Sequence, residues 1–232
     1  MSVPYRLQPS PFVVPPCNTE IELLDVREHW LLVVKPSGLL SVPGRDPRNH
    51  DSVQNRLTAR FADARIVHRL DLETSGIMLL ARGQAATRAF GRLFQQRKMA
   101  KRYVAVAAGR VHGTHGLIDL PLICDWPHRP RQMVDVRHGK PAATHWTVLK
   151  HCDANPTLGL PHTRLGLTPH TGRSHQLRVH CQALGHPLLG DPLYAPDAAC
   201  RAAPRLLLHA ERLAFTCPFT REPITAVAPV PF

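Results

Sequence analysis

A single carboxylate, Asp71, is the residue in this chain best placed to do chemistry. It lies within His68-Arg69-Leu70-Asp71-Leu72-Glu73-Thr74-Ser75-Gly76, with a basic residue two positions before it and a Thr-Ser-Gly turn behind. Apolar residues flank the stretch: Ala64–Val67, broken only by Arg65, and the run Gly76–Ala81. This context predicts a polar turn projecting from the edge of a packed sheet. An Asp before Thr-Ser-Gly often forms the turn itself, its side chain accepting backbone N–H bonds. Asp is also one of the residues that form covalent intermediates. The nine residues alone leave both readings open.

A reactive carboxylate at neutral pH faces opposing effects. Desolvation raises its pKa by about 3–5 units, and a neighbouring guanidinium lowers it by about 1–3. Asp71 therefore needs a cation at contact distance and incomplete burial. The segment Thr171-Gly172-Arg173-Ser174-His175-Gln176-Leu177-Arg178-Val179-His180 supplies candidate cations. Ser174 is the expected N-cap of a helix running to Leu184, with Leu177, Cys181 and Leu184 inward and Gly185 and Pro187 closing it. An ordinary helix with a solvated arginine face competes with that reading. Lys101–Gly109 alternates, placing Tyr103, Ala105 and Ala107 on one face and Arg102, Val104 and Val106 on the other. Tyr103 shares its face only with small alanines, which leaves room for a ligand beside it.

The elements that must position these residues are legible in part. Trp30–Val34 reads as a strand that ends in the turn Lys35-Pro36-Ser37-Gly38. Asp51 is the expected N-cap of a short helix with Val53, Leu57 and Phe61 on one face. Ile77–Leu80 reads as a buried strand and Gln84–Arg97 as an amphipathic helix. Ala143–Leu149, Arg164–Leu167, Arg205–Thr216 and Ile224–Ala228 read as further strands. Few helices and no regular β-α alternation predict an α+β fold with a mixed, largely antiparallel sheet. Residues 1–25 are expected to form an extended arm, since Pro4, Pro9, Pro11, Pro15 and Pro16 crowd its first part. Residues 26–232 are expected to form one catalytic domain.

The 232 residues carry a formal charge of +12 and a pI near 10.2. That excess points to a polyanionic partner, because neutralised phosphates release counterions. No stretch reaches the roughly 20 apolar residues of a membrane span, and the proline-rich N-terminus lacks an apolar signal segment. A cytoplasmic protein is expected. Six scattered cysteines without a C-x-x-C pair read as reduced thiols. His175, His180 and Cys181 lie close together, but no second pair of ligand spacings accompanies them, so no metal is expected.

Taken in order, these segments resemble the RluA-type pseudouridine synthase family. The resemblance runs from about residue 28 to 228. It includes Lys35–Gly38 with Leu39–Gly44, the Asp71 turn, Lys101–Gly109, Thr171–His180, Gly185–Tyr194 and Leu206–Phe215. It implies the pseudouridine synthase fold, flanking helices around a central RNA-binding cleft, and isomerisation of uridine in RNA with no cofactor. Under it, Asp71 is the nucleophile, Arg178 its ionic partner, and Leu177 packs on the target base. Tyr103 lines the uracil pocket and can pass a proton. Arg69 stands near the extruded nucleotide and His68 fixes the turn. Lys101 and Arg102 are assigned to phosphates, and Arg173 also to the RNA. Lys35–Gly38 is read as architectural.

Asp119–Pro127 with Arg129-Pro130, and Ala203–Ala210, point within the family to the subgroup acting on stem-loops of both 23S rRNA and tRNA. The short segment before the catalytic region leaves too little room for an S4 RNA-binding domain. A monomer is expected. The stretch Cys152–Thr163 stands out as an insertion, expected as a loop between strands bordering the cleft and a candidate determinant of which stem-loop is accepted. RNA contacts are expected to vary over Trp126–Lys140, which carries His128, Met133 and His138. Two other readings compete: a basic RNA-binding protein without catalysis, and a metal-dependent nuclease using His68, Asp71 and His180, which needs a further hard oxygen ligand.

Overall fold

A computed structural model describes residues 12–154 and 159–232. The first strands are β1 (Glu22–Val26) and β2 (Trp30–Lys35), followed by helix α1 (Val53–Thr58), β3 (Ala64–Ile66) and β4 (Ser75–Arg82). Helix α2 (Gly83–Gln95) leads to β5 (Ala100–Ala108), β6 (His115–Asp119), β7 (Leu122–Cys124) and β8 (Gln132–Val134). Then come β9 (Ala143–Cys152), β10 (His162–Pro169), α3 (Gln176–Ala183), α4 (Asp197–Arg201), β11 (Leu208–Thr216) and β12 (Pro223–Val227). Ten strands form one sheet in the order β1-β2-β4-β11-β5-β10-β9-β6, with β12 on β11 and β3 on β4. Among the described strands only β4 and β11 pair in parallel, at Ser75↔His209 and Gly76↔Ala210. The α+β reading with a mostly antiparallel sheet is therefore correct. None of the described helices is long and apolar enough to cross a membrane.

Strand burial follows composition. β2 and β4 are apolar on both faces because helices cover both: α2 packs with Trp30, Leu32, Ile77 and Leu79 on one side. The α1 residues Val53 and Leu57 pack with Leu31, Val33, Met78 and Leu80 on the other. Trp30, Phe90 and Phe215 meet edge to face at centroid distances of 5.7 to 6.2 Å, a favoured arrangement for aromatic quadrupoles. The third cluster sits under α3, where Leu177 and Cys181 pack on Ala105, Ala107, Leu165 and Leu167. Tyr103 packs against both the α1-side and the α3-side clusters. The two halves of the sheet meet there.

Several local expectations need correction. The turn carrying Asp71 hangs from β4, an interior strand between β2 and β11, and not from a sheet edge. The sheet begins at Glu22, inside the segment that the prolines assign to an arm, with Leu23 pairing Val33; residues 1–11 lie outside the described residues. Ser52, not Asp51, caps α1, its Oγ accepting the Asn55 N–H at 3.2 Å. Asp51 instead grips Arg56 at 2.6 and 2.7 Å. Ser174 does not cap α3 either. His175 occupies the cap with a φ of 53°, while Gln176 Oε1 accepts the Arg173 N–H at 3.0 Å and the Thr171 hydroxyl at 2.7 Å. Strands β6, β7 and β8 are too short for periodicity to reveal.

The Cys152–Thr163 segment joins β9 to β10, with Cys152 pairing His162; residues 155–158 lie outside the described residues. Cys152 and His162 mark the far end of that hairpin. Seven strand steps, roughly 23 Å, separate His162 from Pro169, where β10 reaches the cleft. The described residues flanking the loop therefore stand away from the cleft that β10 borders at its other end.

Candidate active site

A cleft of about 810 Å³ opens where the β3–β4 turn, the start of β5 and the β10–α3 turn converge. Its wall carries Asp71, Tyr103, Leu177 and Arg178 together, with His68, Arg69, Lys101 and Arg173 around them. Segments distant in sequence are joined by antiparallel pairing: β5 lies between β11 and β10, with Leu167 opposite Tyr103.

The Asp71 turn is held by backbone-directed bonds from the segment after β2. Lys35 is fully buried, and its Nζ donates to the carbonyls of Pro36 at 2.8 Å, Leu39 at 2.8 Å and Leu72 at 2.9 Å. Three acceptors match the three N–H donors of an ammonium. Burial lowers the Lys35 pKa to about 7, against the pull of the Asp71 and Glu73 carboxylates. The Gly38 N–H also donates to Leu72 O, and Ser37 Oγ to Glu73 O at 2.7 Å. Ser41 Oγ donates to Leu70 O at 2.7 Å and accepts the Leu70 N–H at 3.1 Å. The conformation of the residues on either side of Asp71 is thus set from outside the turn. Gly76 ends it with a φ of +117°, and a Cβ there would collide with the Ala210 backbone.

His68 braces the same turn. Its Nε2 accepts the Leu79 N–H at 2.9 Å, and its ring stacks on Phe94 at 4.4 Å. Burial, helped by the Lys101 cation, lowers its pKa to about 3, so the ring is neutral.

Arg178 has two carboxylate neighbours. Its side chain is 3% exposed and its Nη1 lies 3.8 Å from Asp71 Oδ2, whose own side chain is 28% exposed. The closer partner is Asp191, fully buried: Nε donates to Oδ2 at 2.8 Å and Nη2 to Oδ1 at 2.6 Å. Burial works against the Arg178 cation, but the hydrogen bonds and charge of Asp191, with Asp71 behind them, raise its pKa above the usual arginine value. Breaking a buried pair of this kind by removing one partner costs about 3–5 kcal/mol.

Tyr103 is held protonated by burial first and the Asp71 charge second, both raising its pKa. Its phenol is a hydrogen-bond donor at neutral pH. Leu177 is 7% exposed, with its side chain both in the α3 core and on the cleft wall. Arg69 is exposed on the cleft rim. Arg173 also lines the cleft and donates from Nε to Pro141 O at 3.1 Å. Burial lowers the Lys101 pKa. Arg102 is the exception among the expected site residues. It stands on the opposite face of β5, outside the cleft, with its Nε 3.5 Å from Glu211. The strand's period of two demands this: Lys101 and Tyr103 share a face that Arg102 does not.

The metal alternative has no geometric support in its proposed ligands. His180 directs Nδ1 to Thr144 Oγ1 at 2.9 Å and Nε2 to Leu120 O at 3.0 Å, and His68 Nε2 is already occupied. Sequence reasoning missed three residues at the site. Arg97 lines the cleft from a positive-φ position after α2. Tyr194 meets His175 Nδ1 at 2.6 Å and accepts the Gln132 N–H at 2.8 Å. Asp191 was readable as a charge inside the apolar stretch Leu188–Leu193, since such a residue is rarely buried without a partner.

Residues 29–183, which carry the turn, the strand and the helix of this site, match the family model for RNA pseudouridylate synthase. The chain is 47% identical over 218 residues to the dual-specificity RNA pseudouridine synthase RluA of Escherichia coli (strain K12), spanning 94% of this chain and 97% of that one. It is 44% identical, with the same coverage, to the protein of that name from Pasteurella multocida (strain Pm70). Among solved structures, human RNA pseudouridylate synthase domain containing 1 superposes with a TM-score of 0.77 at 30% identity, over 94% of this chain and 86% of that one. With the family model matched over residues 29–183 and this identity spanning nearly the whole chain, the protein belongs to the RNA pseudouridylate synthases, enzymes that isomerise uridine to pseudouridine in RNA.

Proposed function

We propose that the chain modifies uridines in stem-loops of both 23S rRNA and tRNA, acting as a monomer in the cytoplasm with Asp71 as nucleophile. The observation that carries the site assignment is the Asp71 carboxylate, part-exposed in the cleft and facing the Arg178 guanidinium at 3.8 Å. The dual target rests on the relatives named for dual specificity, similar across 94% of the chain.

The reaction breaks the N1–C1′ bond, turns the uracil and forms C5–C1′. The C5 hydrogen leaves as a proton and N1 gains one, so no electrons are exchanged. Asp71 supplies the attacking oxygen, whether at C6 of the base or at C1′, and ends as a free carboxylate. Arg178 faces it with its Nη1 at 3.8 Å and supplies the neighbouring positive charge. Leu177 and Tyr103 hold the uracil once it has left its stack, and the Tyr103 hydroxyl relays a proton. Arg69, Lys101 and Arg173 contact the phosphates, consistent with the net charge of +12.

The test uses transcripts of a tRNA anticodon stem-loop and of large-subunit rRNA carrying tritium at uridine C5. Chelator-resistant tritium release from both, abolished in Asp71→Asn with RNA binding retained, is the expected result. Release from one RNA alone removes the dual target. Release by Asp71→Asn above a few per cent of wild type (about 2 kcal/mol in barrier) removes Asp71 as nucleophile. Binding without release supports the non-catalytic reading.

A further inference from the structure

We propose that Asp191 is a positioning residue for the isomerisation: it aims the Arg178 guanidinium so that a single nitrogen, Nη1, faces Asp71. This rests on the reading of Asp71 and Arg178 given above.

Asp191 takes the Nε–Nη2 edge of the guanidinium side-on, at 2.8 and 2.6 Å. A guanidinium is planar, so fixing that edge fixes the direction of Nη1 as well. The carboxylate is itself immobile. Its Oδ1 also accepts the Leu193 N–H at 2.9 Å and the Tyr194 N–H at 3.2 Å, and the residue is 0% exposed. The chain reverses tightly just before it, at Gly190 with a φ of +72°, where a Cβ would strike the carbonyl of Arg205. The Tyr194 ring closes the other side, 5.1 Å from the guanidinium carbon.

Two consequences follow for the reaction. First, the bidentate pair leaves Asp71 only the looser contact at 3.8 Å, so the nucleophile faces a cation without a tight salt bridge that would blunt it. Second, Asp71 loses negative charge when its oxygen bonds to carbon during turnover, and Asp191 does not. Arg178 therefore keeps a buried counterion throughout, and forming the intermediate strands no uncompensated cation.

The experiment is steady-state tritium release by the 232-residue chain on the tRNA stem-loop transcript. Its variants are Asp191→Asn, Asp191→Glu, Arg178→Lys and the double Arg178→Lys/Asp191→Asn. Asparagine retains an oxygen for the Leu193 and Tyr194 N–H groups, so the loop keeps its bonds while the charge is lost. We expect kcat to fall by about 10²-fold, the effect of a displacement near 1 Å at a reacting centre. KM should change by less than about threefold, because Asp191 does not touch RNA. In the Arg178→Lys background, Asp191→Asn should add less than about threefold, since residues acting through one another are not additive. Asp191→Glu keeps the charge but displaces it, and should also lose kcat. That variant decides the matter if Asp191→Asn proves unfolded by circular dichroism. A folded Asp191 variant with wild-type kcat overturns the proposal, as does a loss that multiplies undiminished onto Arg178→Lys. If Asp71→Asn is inactive while Asp191→Asn turns over normally, only this inference fails. If Asp71→Asn is active, the underlying reading fails.

Discussion

Replacing Ser41 with alanine probes the link between the segment after β2 and the Asp71 turn. Ser41 is 4% exposed, and its hydroxyl both donates to Leu70 O and accepts the Leu70 N–H, at 2.7 and 3.1 Å. Leu70 is the residue before Asp71. Alanine leaves both backbone groups of Leu70 without a partner, and each orphaned buried group costs about 1–3 kcal/mol. Because Ser41 borders the cleft, water can reach part of the gap, and the lower half of the range applies, about 2–4 kcal/mol in all. At about 2 °C per kcal/mol for a chain of this size, the melting temperature falls by roughly 4–8 °C. Catalysis suffers separately, since the turn relaxes next to Asp71. A shift approaching 1 Å lowers kcat by up to about 10²-fold, so about tenfold or more is expected here, with RNA binding unchanged. Calorimetry together with single-turnover tritium release reads both effects. A variant that melts within a degree of wild type and turns over at the same rate would refute the claim that this hydroxyl sets the turn.

Two other perturbations test the electrostatics and the strand geometry. His209 is 2% exposed and hydrogen-bonded to Ser75 Oγ at 2.8 Å, and burial lowers its pKa to about 4. Its folded pKa lies below the unfolded value, so this stability is complete above pH 6.5 and is lost as pH falls toward 4. The loss is about 2 kcal/mol between pH 7 and pH 5. In urea unfolding, His209→Gln should show a pH 7-to-5 drop smaller than that of wild type by that amount, and an identical drop would contradict the assignment. Lys101→Ala should lower the slope of log affinity for RNA against log salt by about 1, whereas Arg102→Ala, on the outer face with Glu211, leaves it unchanged; equal effects would place both side chains on the RNA.

Local rules carried the reading where a residue's neighbours in sequence are its neighbours in space. The apolar runs of β2 and β4 and the amphipathic pattern of α2 were legible for this reason. Asp51 and Ser174 show where such rules fail. A capping side chain and a side chain one position away look alike in sequence, and Arg56 and Gln176 decided which group the helix end received. Arg102 is decided locally instead: the alternation of β5 alone excludes it from Tyr103's face. The Cys152–Thr163 segment was visible as a loop, but which end of the β9–β10 hairpin faces the cleft depends on the sheet.

What the sequence determined by itself was the chemistry. Asp71, Tyr103 and Arg178 sit in ordered segments that resemble those of the family, and the charge of +12 fits an RNA partner. What only the tertiary structure decided was the set of contacts that makes those groups usable. Lys35 and Ser41 reach the Asp71 turn across more than 25 residues of chain, and Asp191 meets Arg178 from a loop beyond the helix. Hydrogen bonds and ion pairs act over about 3 Å, and sequence spacing does not specify such distances between segments that meet only when the sheet closes.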